Sequence, residues 1–354
     1  MGELEELRTK INQTDAELLR LLNQRMELAL RTRKLKSAIA DPSREKEILE
    51  SVKKQSYGLL NEKFSAKIYS DIIGESKRLQ EQELKLAGFQ GEHGAYSEVA
   101  MRCFDGQLVP TPCREFIDVF DGVTSRQLDC GVVPVENSLE GAVTQVNDLL
   151  IERELKIVGE IKIPIHHCLL TLPDTDYRDI KVVYSHPQVL AQCRSFLNRN
   201  KLDARPFYDT AGAAMMLAKE RPKAAAVISN GLCAEIYTLE ILKENIEDHE
   251  SNSTRFVMLA QEEAKENGNK CSIVFSTAHK AGALFSVLKV FSDAGINLTR
   301  IESRPIKKDP GKYAFLLDFQ GSVNDKTVTN ALEEVKEYTI MYKFLGCYKE
   351  REIG

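Results

Sequence analysis

Residues 251–260 read S-N-S-T-R-F-V-M-L-A, a polar run that stops against a short apolar segment. Clusters of Ser and Asn mark turns, and a short apolar run bounded by a turn is typical of a buried strand. Thr254 and Arg255 would then lie at the mouth of that strand, where α/β proteins place their ligands. The same two residues would also suit a plain strand edge carrying a solvated charge. This stretch leaves both interpretations open.

Similar short apolar runs recur upstream and alternate with helical segments. They are L-K-L-A-G-F (84–89), C-G-V-V-P-V (130–135), I-K-V-V-Y-S (180–185) and A-A-A-V-I-S (224–229). Helices are expected between them, at 187–199 and 211–221. This alternation predicts an α/β domain over residues 85–260, built of two lobes with a ligand cleft between them.

The flanking stretches have different patterns. Residues 1–84 are helical throughout, and apolar residues form a near-heptad stripe along a long first helix: Leu4, Leu7, Ile11, Leu18, Leu21 and Leu28. Residues 261–270 are charged and contain Gly, which predicts a linker. From residue 271 to 354 the order is strand, helix, strand, strand, helix, strand. That order predicts a ferredoxin-like module, more typical of a sensor than of a catalytic domain.

The composition limits the classes of function. The 354 residues are 43% hydrophobic and 29% charged, as in soluble proteins of two or three domains. A formal net charge of −5 argues against nucleic acid as a partner. The chain has no apolar run of bilayer length and begins with an acidic helix, so we expect a cytoplasmic protein without a membrane partner. With no P-loop, no G-x-G-x-x-G and no Cys/His metal spacing, we expect no cofactor and no metal.

Polar residues of the helical stretch are spaced as a site would need. Arg25 and Lys36 are eleven residues apart, close to three turns, so they share a helix face. Arg8 lies 17 residues before Arg25, roughly 25 Å away along a straight helix. If both arginines bind one ligand, Arg8 must come from a second subunit. Surface charges on a helical bundle or coiled coil are the alternative.

Five segments of this stretch carry a resemblance: L-R-T-K-I (7–11), L-L-N-Q-R-M-E-L-A (21–29), K-L-K (34–36), D-P-S-R-E-K-E (41–47) and E-S-K-R-L-Q (75–80). They resemble the all-helical chorismate mutases, whose active site is built across a dimer. The resemblance implies that Arg8 of a partner chain and Arg25 hold two carboxylates, helped by Ser76. Lys36 and Gln80 would bracket the ether oxygen. The ring hydroxyl would be surrounded by Asp41, Arg44 and Glu45.

Segments of the middle stretch resemble the prephenate dehydratases: G-F-Q-G-E-H-G-A-Y-S-E (88–98), G-V-V-P-V-E-N-S-L-E-G (131–141), S-H-P-Q (185–188), D-T-A-G-A-A (209–214) and S-T-R-F (253–256). The resemblance implies a two-lobed fold like that of periplasmic binding proteins and a catalytic hydroxyl on Thr254. Arg255 and Phe256 would shape its surroundings. The cleft would be lined by Glu136, Asn137, Ser138, Gln188 and Thr210.

Each of these residues has a plainer alternative. Ser138 and Thr210 would serve as helix caps, and Glu136 as a solvated strand end. His186 is expected to be structural. For the dehydratase, a neutral threonine is a weak acid, so we expect a positioned hydrogen-bond donor more than a strong general acid.

In the last stretch, G-A-L-F-S-V-L (282–288) and E-S-R-P (302–305) resemble the ACT regulatory module of phenylalanine-sensitive dehydratases. The resemblance implies that phenylalanine binds between two modules, against Gly282, Ala283 and Leu284 of one segment and Glu302, Ser303 and Arg304 of the other. It would act as an allosteric feedback inhibitor. Arg304 as an exposed charge is the alternative.

The three resemblances belong to consecutive steps of phenylalanine biosynthesis. Together they predict a bifunctional isomerase and carbon–oxygen lyase that converts chorismate to prephenate and then to phenylpyruvate, acting as a homodimer or homotetramer. One alternative is a dehydratase that prefers arogenate. Another is a non-catalytic two-lobed binding protein with an amino-acid sensor.

Overall fold

A computed structural model describes residues 3–36, 38–249, 251–264, 267–306, 309 and 311–353. Residues 265 and 266 of the expected linker lie outside the described residues. The chain divides into two compact units, residues 1–86 with 107–111 and residues 87–106 with 112–354. Within the described ranges, no helix is long and apolar enough to cross a membrane.

The first unit, here called the helical unit, contains α1 (Glu3–Arg33), α2 (Pro42–Gln55) and α3 (Glu62–Glu81). As predicted, α2 begins with Pro42, and the Asp41 carboxylate accepts a hydrogen bond from the Arg44 amide at 3.0 Å. Asn61 caps α3 in the same way through the Phe64 amide. The apolar stripe of α1 is exposed in the single chain, from Leu4 at 61% to Leu28 at 50%.

A domain of two lobes follows α3, and most of it belongs to the second unit. Its elements run, in order, β1 (Leu86–Gln90), α4 (Tyr96–Phe104), β2 (Val109–Cys113), α5 (Phe116–Thr124), β3 (Cys130–Asn137), β4 (Gly141–Ala142), α6 (Thr144–Glu152), β5 (Lys156–Pro164), β6 (Cys168–Thr171), a 3-10 turn (Tyr177–Asp179), β7 (Val182–Ser185), α7 (Pro187–Gln192), α8 (Arg194–Arg199), β8 (Asp203–Pro206), α9 (Thr210–Glu220), β9 (Ala225–Ser229), α10 (Gly231–Tyr237), β10 (Glu240–Lys243) and β11 (Ser253–Ala260).

A C-terminal module follows. It consists of β12 (Lys270–Ser276), α11 (Ala283–Asp293), β13 (Leu298–Pro305), β14 (Tyr313–Gln320), α12 (Lys326–Glu337) and β15 (Met341–Tyr348), after which comes β16 (Glu350–Glu352). The four long strands form an antiparallel sheet in the order β13-β14-β12-β15. Phe275, Val287, Phe291 and Val335 form its fully buried core. The predicted ferredoxin-like fold is confirmed.

The two lobes are two separate sheets. The first lobe has the order β16-β5-β11-β3-β1-β2, with β4 also paired to β3, and the second lobe has the order β10-β6-β9-β7-β8. The predicted two-lobed α/β architecture is therefore confirmed. The single helix predicted at 187–199 is two helices, because the backbone at Cys193 leaves helical geometry (φ −111°, ψ 21°).

The C-terminal module is joined to the first lobe by backbone pairing. Residues 350–352 of β16 run parallel to 160–162 of β5 and extend that sheet by one edge strand. Where β15 passes β5, Gly346 has φ +147°, and a Cβ there would lie 2.3 Å from the Ile157 carbonyl oxygen. Only glycine permits so close an approach.

Candidate active sites

The helical unit brings three of its predicted site residues onto one side of α1 and α3. Arg25 donates to the Ser76 hydroxyl at 2.6 Å, and the Gln80 amide nitrogen donates to the Ala29 carbonyl at 2.5 Å. Gln80 Oε1 is buried and has no hydrogen-bond partner among the described residues. A polar atom in that state points to a ligand group that would satisfy it.

The other predicted residues of this unit have local partners. Lys36 donates to the Ile39 carbonyl at 2.8 Å, Arg44 pairs with Glu47, and Glu45 pairs with Lys77. Asp41 caps α2. Arg8 is exposed and lies in the same continuous helix as Arg25, so the roughly 25 Å expected between them holds. One chain therefore does not bring Arg8 into a site with Arg25.

In the two-lobed domain, Thr254 and Asn137 face each other across the pair β3–β11. The Asn137 Nδ2 donates to Thr254 Oγ1 at 2.8 Å, and its Oδ1 accepts the amides of Leu139 (2.9 Å) and Glu140 (3.1 Å). These two amides determine which end of the Asn137 side chain is nitrogen. The Thr254 oxygen is therefore an acceptor towards Asn137, and the hydroxyl hydrogen is left to point elsewhere.

Ser138 links the same strand ends. The Ser253 amide donates to Ser138 Oγ at 2.9 Å, and this hydroxyl donates to the Ser251 carbonyl at 3.3 Å. The alternative that Ser138 caps a helix is therefore wrong. Phe256 is buried at 2% exposure and belongs to the core behind the pair.

The next rung of β3–β11 carries Glu136 and Arg255, and it faces the other side of the sheet. Arg255 is bound to the carboxylates of Glu160 (2.7 Å) and Asp318 (2.5 Å) and lies 3.7 Å from Glu136. Its side chain is 11% exposed, so the alternative of a solvated charge is wrong. Burial alone would lower the pKa of Arg255, but the two carboxylates outweigh burial and raise it.

Two predicted cleft residues lie on the second lobe. Gln188 is exposed on α7, whose N-cap is His186, in agreement with a structural role for that histidine. Thr210 is the first residue of α9, and the cap is Asp209, which accepts the Gly212 amide at 2.7 Å. The alternative that Thr210 caps this helix is therefore wrong.

The sequence analysis missed three polar residues that form a chain of contacts starting at Asn137. Asn252 Oδ1 accepts from Asn137 Nδ2 at 2.8 Å, Gln192 Oε1 lies 3.5 Å from Asn252 Nδ2, and His167 Nε2 lies 2.8 Å from the same Gln192 oxygen. Gln192 follows Gln188 by four residues, one helical turn, which was a usable signal. Burial is the largest influence on His167 and lowers its pKa.

The C-terminal module contains a cavity of about 160 Å³ beside the start of α11. Ala283 and Leu284 line it together with Thr277, His279 and Tyr313. Gly282 has φ +81° and is the N-cap of α11. Arg304 is only 19% exposed and binds Asp148 of α6 at 2.8 Å, so the alternative of a plain exposed charge is wrong.

Family models match all three parts of the chain. The model described as chorismate mutase type II matches residues 7–81, the model described as prephenate dehydratase matches residues 87–264, and the ACT domain model matches residues 272–337.

Individual proteins are similar over long stretches. A bifunctional chorismate mutase/prephenate dehydratase of Aquifex aeolicus is 40% identical over 359 residues, which cover 98% of each chain. Arogenate dehydratase/prephenate dehydratase 2 of Arabidopsis thaliana is 40% identical over 272 residues, 73% of this chain and 71% of the plant protein. The crystal structure of the Arthrobacter aurescens prephenate dehydratase in complex with L-Phe has a TM-score of 0.68 at 31% identity, covering 75% of this chain and 89% of that one.

Proposed function

The chain belongs to the bifunctional chorismate mutase/prephenate dehydratase family, and from this premise we propose how its residues divide the work. The helical unit rearranges chorismate to prephenate. The two-lobed domain converts prephenate to phenylpyruvate, water and carbon dioxide. The C-terminal module binds phenylalanine, the end product of the pathway, and this binding lowers the dehydratase activity.

The observation that carries the dehydratase assignment is the Asn137–Thr254 pair. In this reaction the C–O bond to the ring hydroxyl breaks, the bond to the ring carboxylate breaks as CO2 leaves, and the electrons of that second bond complete the aromatic ring. The departing hydroxyl needs a proton or a hydrogen-bond donor. Because Asn137 donates to the Thr254 oxygen, the Thr254 hydrogen is free to serve the departing group.

The mutase step needs no nucleophile and no proton transfer. It needs a compact substrate conformer and positive charge where the breaking C–O bond gathers negative charge. Arg25 and Lys36 supply this positive charge, and Arg25 is held in place by its hydrogen bond to Ser76. The Gln80 amide nitrogen donates to Ala29, so the contact with the ether oxygen that the family resemblance implies requires this amide to turn over.

We place the second half of the mutase site on a partner chain. The support is the distance between Arg8 and Arg25 in α1 and the exposed apolar stripe of the same helix, which a second copy would bury. A homodimer or homotetramer follows. None of the eight cysteines, all of which lie within the described residues, forms a disulfide, which supports a cytoplasmic location.

Mixing two inactive variants tests this shared site. Arg8→Ala and Lys36→Ala chains are each expected to lose mutase activity, because each lacks a cation of the site. After subunit exchange, one of the two pockets of a hybrid dimer keeps both side chains, and we expect activity to return. Absence of recovery despite proven exchange would contradict a site built from two chains.

Phenylalanine is assigned to the cavity at α11. A cavity lined by Leu284, Phe315 and Tyr313, with polar groups from Thr277 and His279, has the mixed lining that an aromatic amino acid requires. Gly282 leaves open space at the helix start, where backbone amides meet a carboxylate. The L-Phe complex of the Arthrobacter relative supports the same ligand class.

Incubating the purified protein with chorismate tests the whole assignment. Chorismate should disappear and phenylpyruvate should form without an added cofactor, and phenylalanine should slow the second step. Supplying arogenate in place of prephenate shows which of the two substrates the dehydratase prefers. The name of the Arabidopsis relative includes both. A two-lobed binding protein without catalysis would leave chorismate unchanged.

A further inference from the structure

A buried cluster of charged side chains connects the C-terminal module to the strands that carry Thr254. At its centre, Arg255 Nη2 donates both to Glu160 Oε2 and to Asp318 Oδ2. Glu160 belongs to β5 of the first lobe, whereas Asp318 belongs to β14 of the C-terminal module. One guanidinium group therefore holds a carboxylate from each part of the molecule.

Each carboxylate has a further partner on β12 of the C-terminal module, Lys270 for Glu160 and Ser272 for Asp318. Lys270 Nζ donates to Glu160 Oε1 at 2.7 Å. The Ser272 hydroxyl donates to Asp318 Oδ1 at 2.6 Å and contacts the Tyr348 hydroxyl at 2.7 Å. The Asp318 side chain is 4% exposed. A buried charge that loses its partner is costly, so the module and the strands are expected to move together.

The module side of the cluster lies on the strand that lines the cavity assigned to phenylalanine, because β14 carries Tyr313 and Phe315 as well as Asp318. Arg300 is opposite Asp318 in the β13–β14 ladder, and Glu302 is opposite Leu316. Arg300 lies 3.8 Å from Asp318 and donates to Asn147 of α6 at 2.9 Å. A shift of β14 at Tyr313 and Phe315 would therefore reach Asp318 along the same strand.

The lobe side of the cluster adjoins the catalytic hydroxyl. Arg255 follows Thr254 directly, and the rungs Thr254–Asn137 and Arg255–Glu136 are neighbours on β3–β11. Because the two residues share one stretch of backbone, we expect a displacement of Arg255 to turn the strand end that carries Thr254. A displacement of about 1 Å at a reacting group can cost up to about 100-fold in rate.

We propose that Asp318 is a positioning residue for the dehydratase: it holds Arg255 from the C-terminal module, sets the orientation of the strand end that carries Thr254, and transmits inhibition by phenylalanine. This rests on the proposed function and extends it, because it names the contact through which the regulatory ligand acts. Arg255, placed by family resemblance beside the substrate, acts on this account from the opposite face of the sheet.

The test is Asp318→Asn, which keeps the side-chain shape and removes the charge. We expect the dehydratase kcat to fall by about tenfold, with little change in the KM for prephenate, because the substrate contacts remain. The phenylalanine concentration for half inhibition should rise by at least about tenfold, within the usual range of coupling between sites. Mutase activity, measured on the same sample, should not change.

Asp293→Asn is the matched control. Asp293 lies in the same module, is exposed and pairs with Lys289 of its own helix, so this variant should behave like the unmodified protein. A merely structural role for Asp318 would lower thermal stability and leave the half-inhibitory concentration of phenylalanine unchanged, and that result would overturn the proposal.

A second variant covers the case in which Asp318→Asn fails to fold, as loss of both activities would show. Ser272→Ala removes one hydrogen bond to Asp318 and should raise the half-inhibitory concentration by a smaller factor in a folded protein. No change in that concentration would overturn the proposal. Absence of dehydratase activity in the unmodified chain would instead contradict the proposed function itself.

Discussion

Two neighbouring rungs of the same strand pair differ in almost every physical property. Asn137 and Thr254 are uncharged, joined by one hydrogen bond, and leave a hydroxyl hydrogen free. Glu136 and Arg255, one residue away on each strand, face the other side and join a buried ionic cluster. Successive side chains on a strand point to opposite faces. The motifs V-P-V-E-N-S and S-T-R-F therefore each place one residue on the face of the proposed cleft and the next on the face of the ionic cluster.

The strongest test of this difference between the two residue pairs is to remove the Thr254 hydroxyl. Thr254→Val keeps the β-branched shape and deletes the hydroxyl, so the strand should survive. Dehydratase kcat should fall by about 10²-fold or more, the scale for losing a donor that acts in the transition state. Mutase activity, assayed in parallel, should stay the same.

The matched control for that variant is Thr254→Ser, which keeps the hydroxyl and should retain far more dehydratase activity. If the valine and serine variants have equal kcat values, the hydroxyl is not the catalytic group and Thr254 is only a strand-edge residue.

Changing the charge of Asn137 and of Glu136 in separate variants tests whether the two faces of the sheet have different roles. Asn137→Asp keeps the shape, but a carboxylate accepts the Thr254 hydrogen that the amide leaves free, so kcat should fall by roughly 10- to 100-fold. Glu136→Gln changes one charge in the opposite sense on the other face, where Glu136 is half exposed and its ion pairs are long. The Glu136→Gln variant should lower the dehydratase kcat much less than Asn137→Asp does. Equal losses in steady-state assays of both variants would remove the distinction.

The smallest expected effect concerns pH and His167. Its folded-state pKa lies below the ordinary 6.5, chiefly because burial disfavours the imidazolium, although the Gln192 hydrogen bond and the Glu247 charge oppose this. Stability from this group is then complete above about pH 6.5 and is lost as the pH falls towards the lowered pKa. Thermal unfolding should show that the unmodified protein loses stability over this interval and that His167→Gln loses less.

His249→Gln, at an exposed histidine, provides the comparison for that measurement and should follow the unmodified protein at every pH. Identical pH dependence of stability in the His167→Gln variant and the unmodified protein would show that His167 titrates normally.

Elements with strong local signals were predictable, and elements defined by distant partners were not. The cap of α2 follows from capping chemistry, and the order of the C-terminal module follows from hydrophobic periodicity over segments of seven or more residues. The strand β8 is four residues long and fully exposed, and the charged β16 has no apolar pattern, so neither has a sequence signal. Both exist because a neighbouring strand supplies the hydrogen bonds.

The candidate site could be proposed from the sequence as a set of residues but not as a geometry. Thr254 and Asn137 were named from motifs, but their hydrogen bond joins positions 117 residues apart. The face taken by Arg255 depends on strand register, with an irregularity between Arg255 and Phe256, and on a carboxylate from another part of the chain. Asn252 was missed because its contact with Asn137 joins segments that are 115 residues apart, whereas Gln192 had a local signal in its helical spacing from Gln188.

The strand β16 has a consequence for how the chain is made. Its partner β5 leaves the ribosome first, and Glu352 binds Lys162 across 190 residues of sequence. At about 5 to 20 residues per second, the outer edge of β5 waits roughly 10 to 40 s for its partner. An unpaired strand edge is a template for wrong pairing with other chains. The nascent protein therefore has an open sheet edge after Thr254 has been synthesised and before β16 arrives.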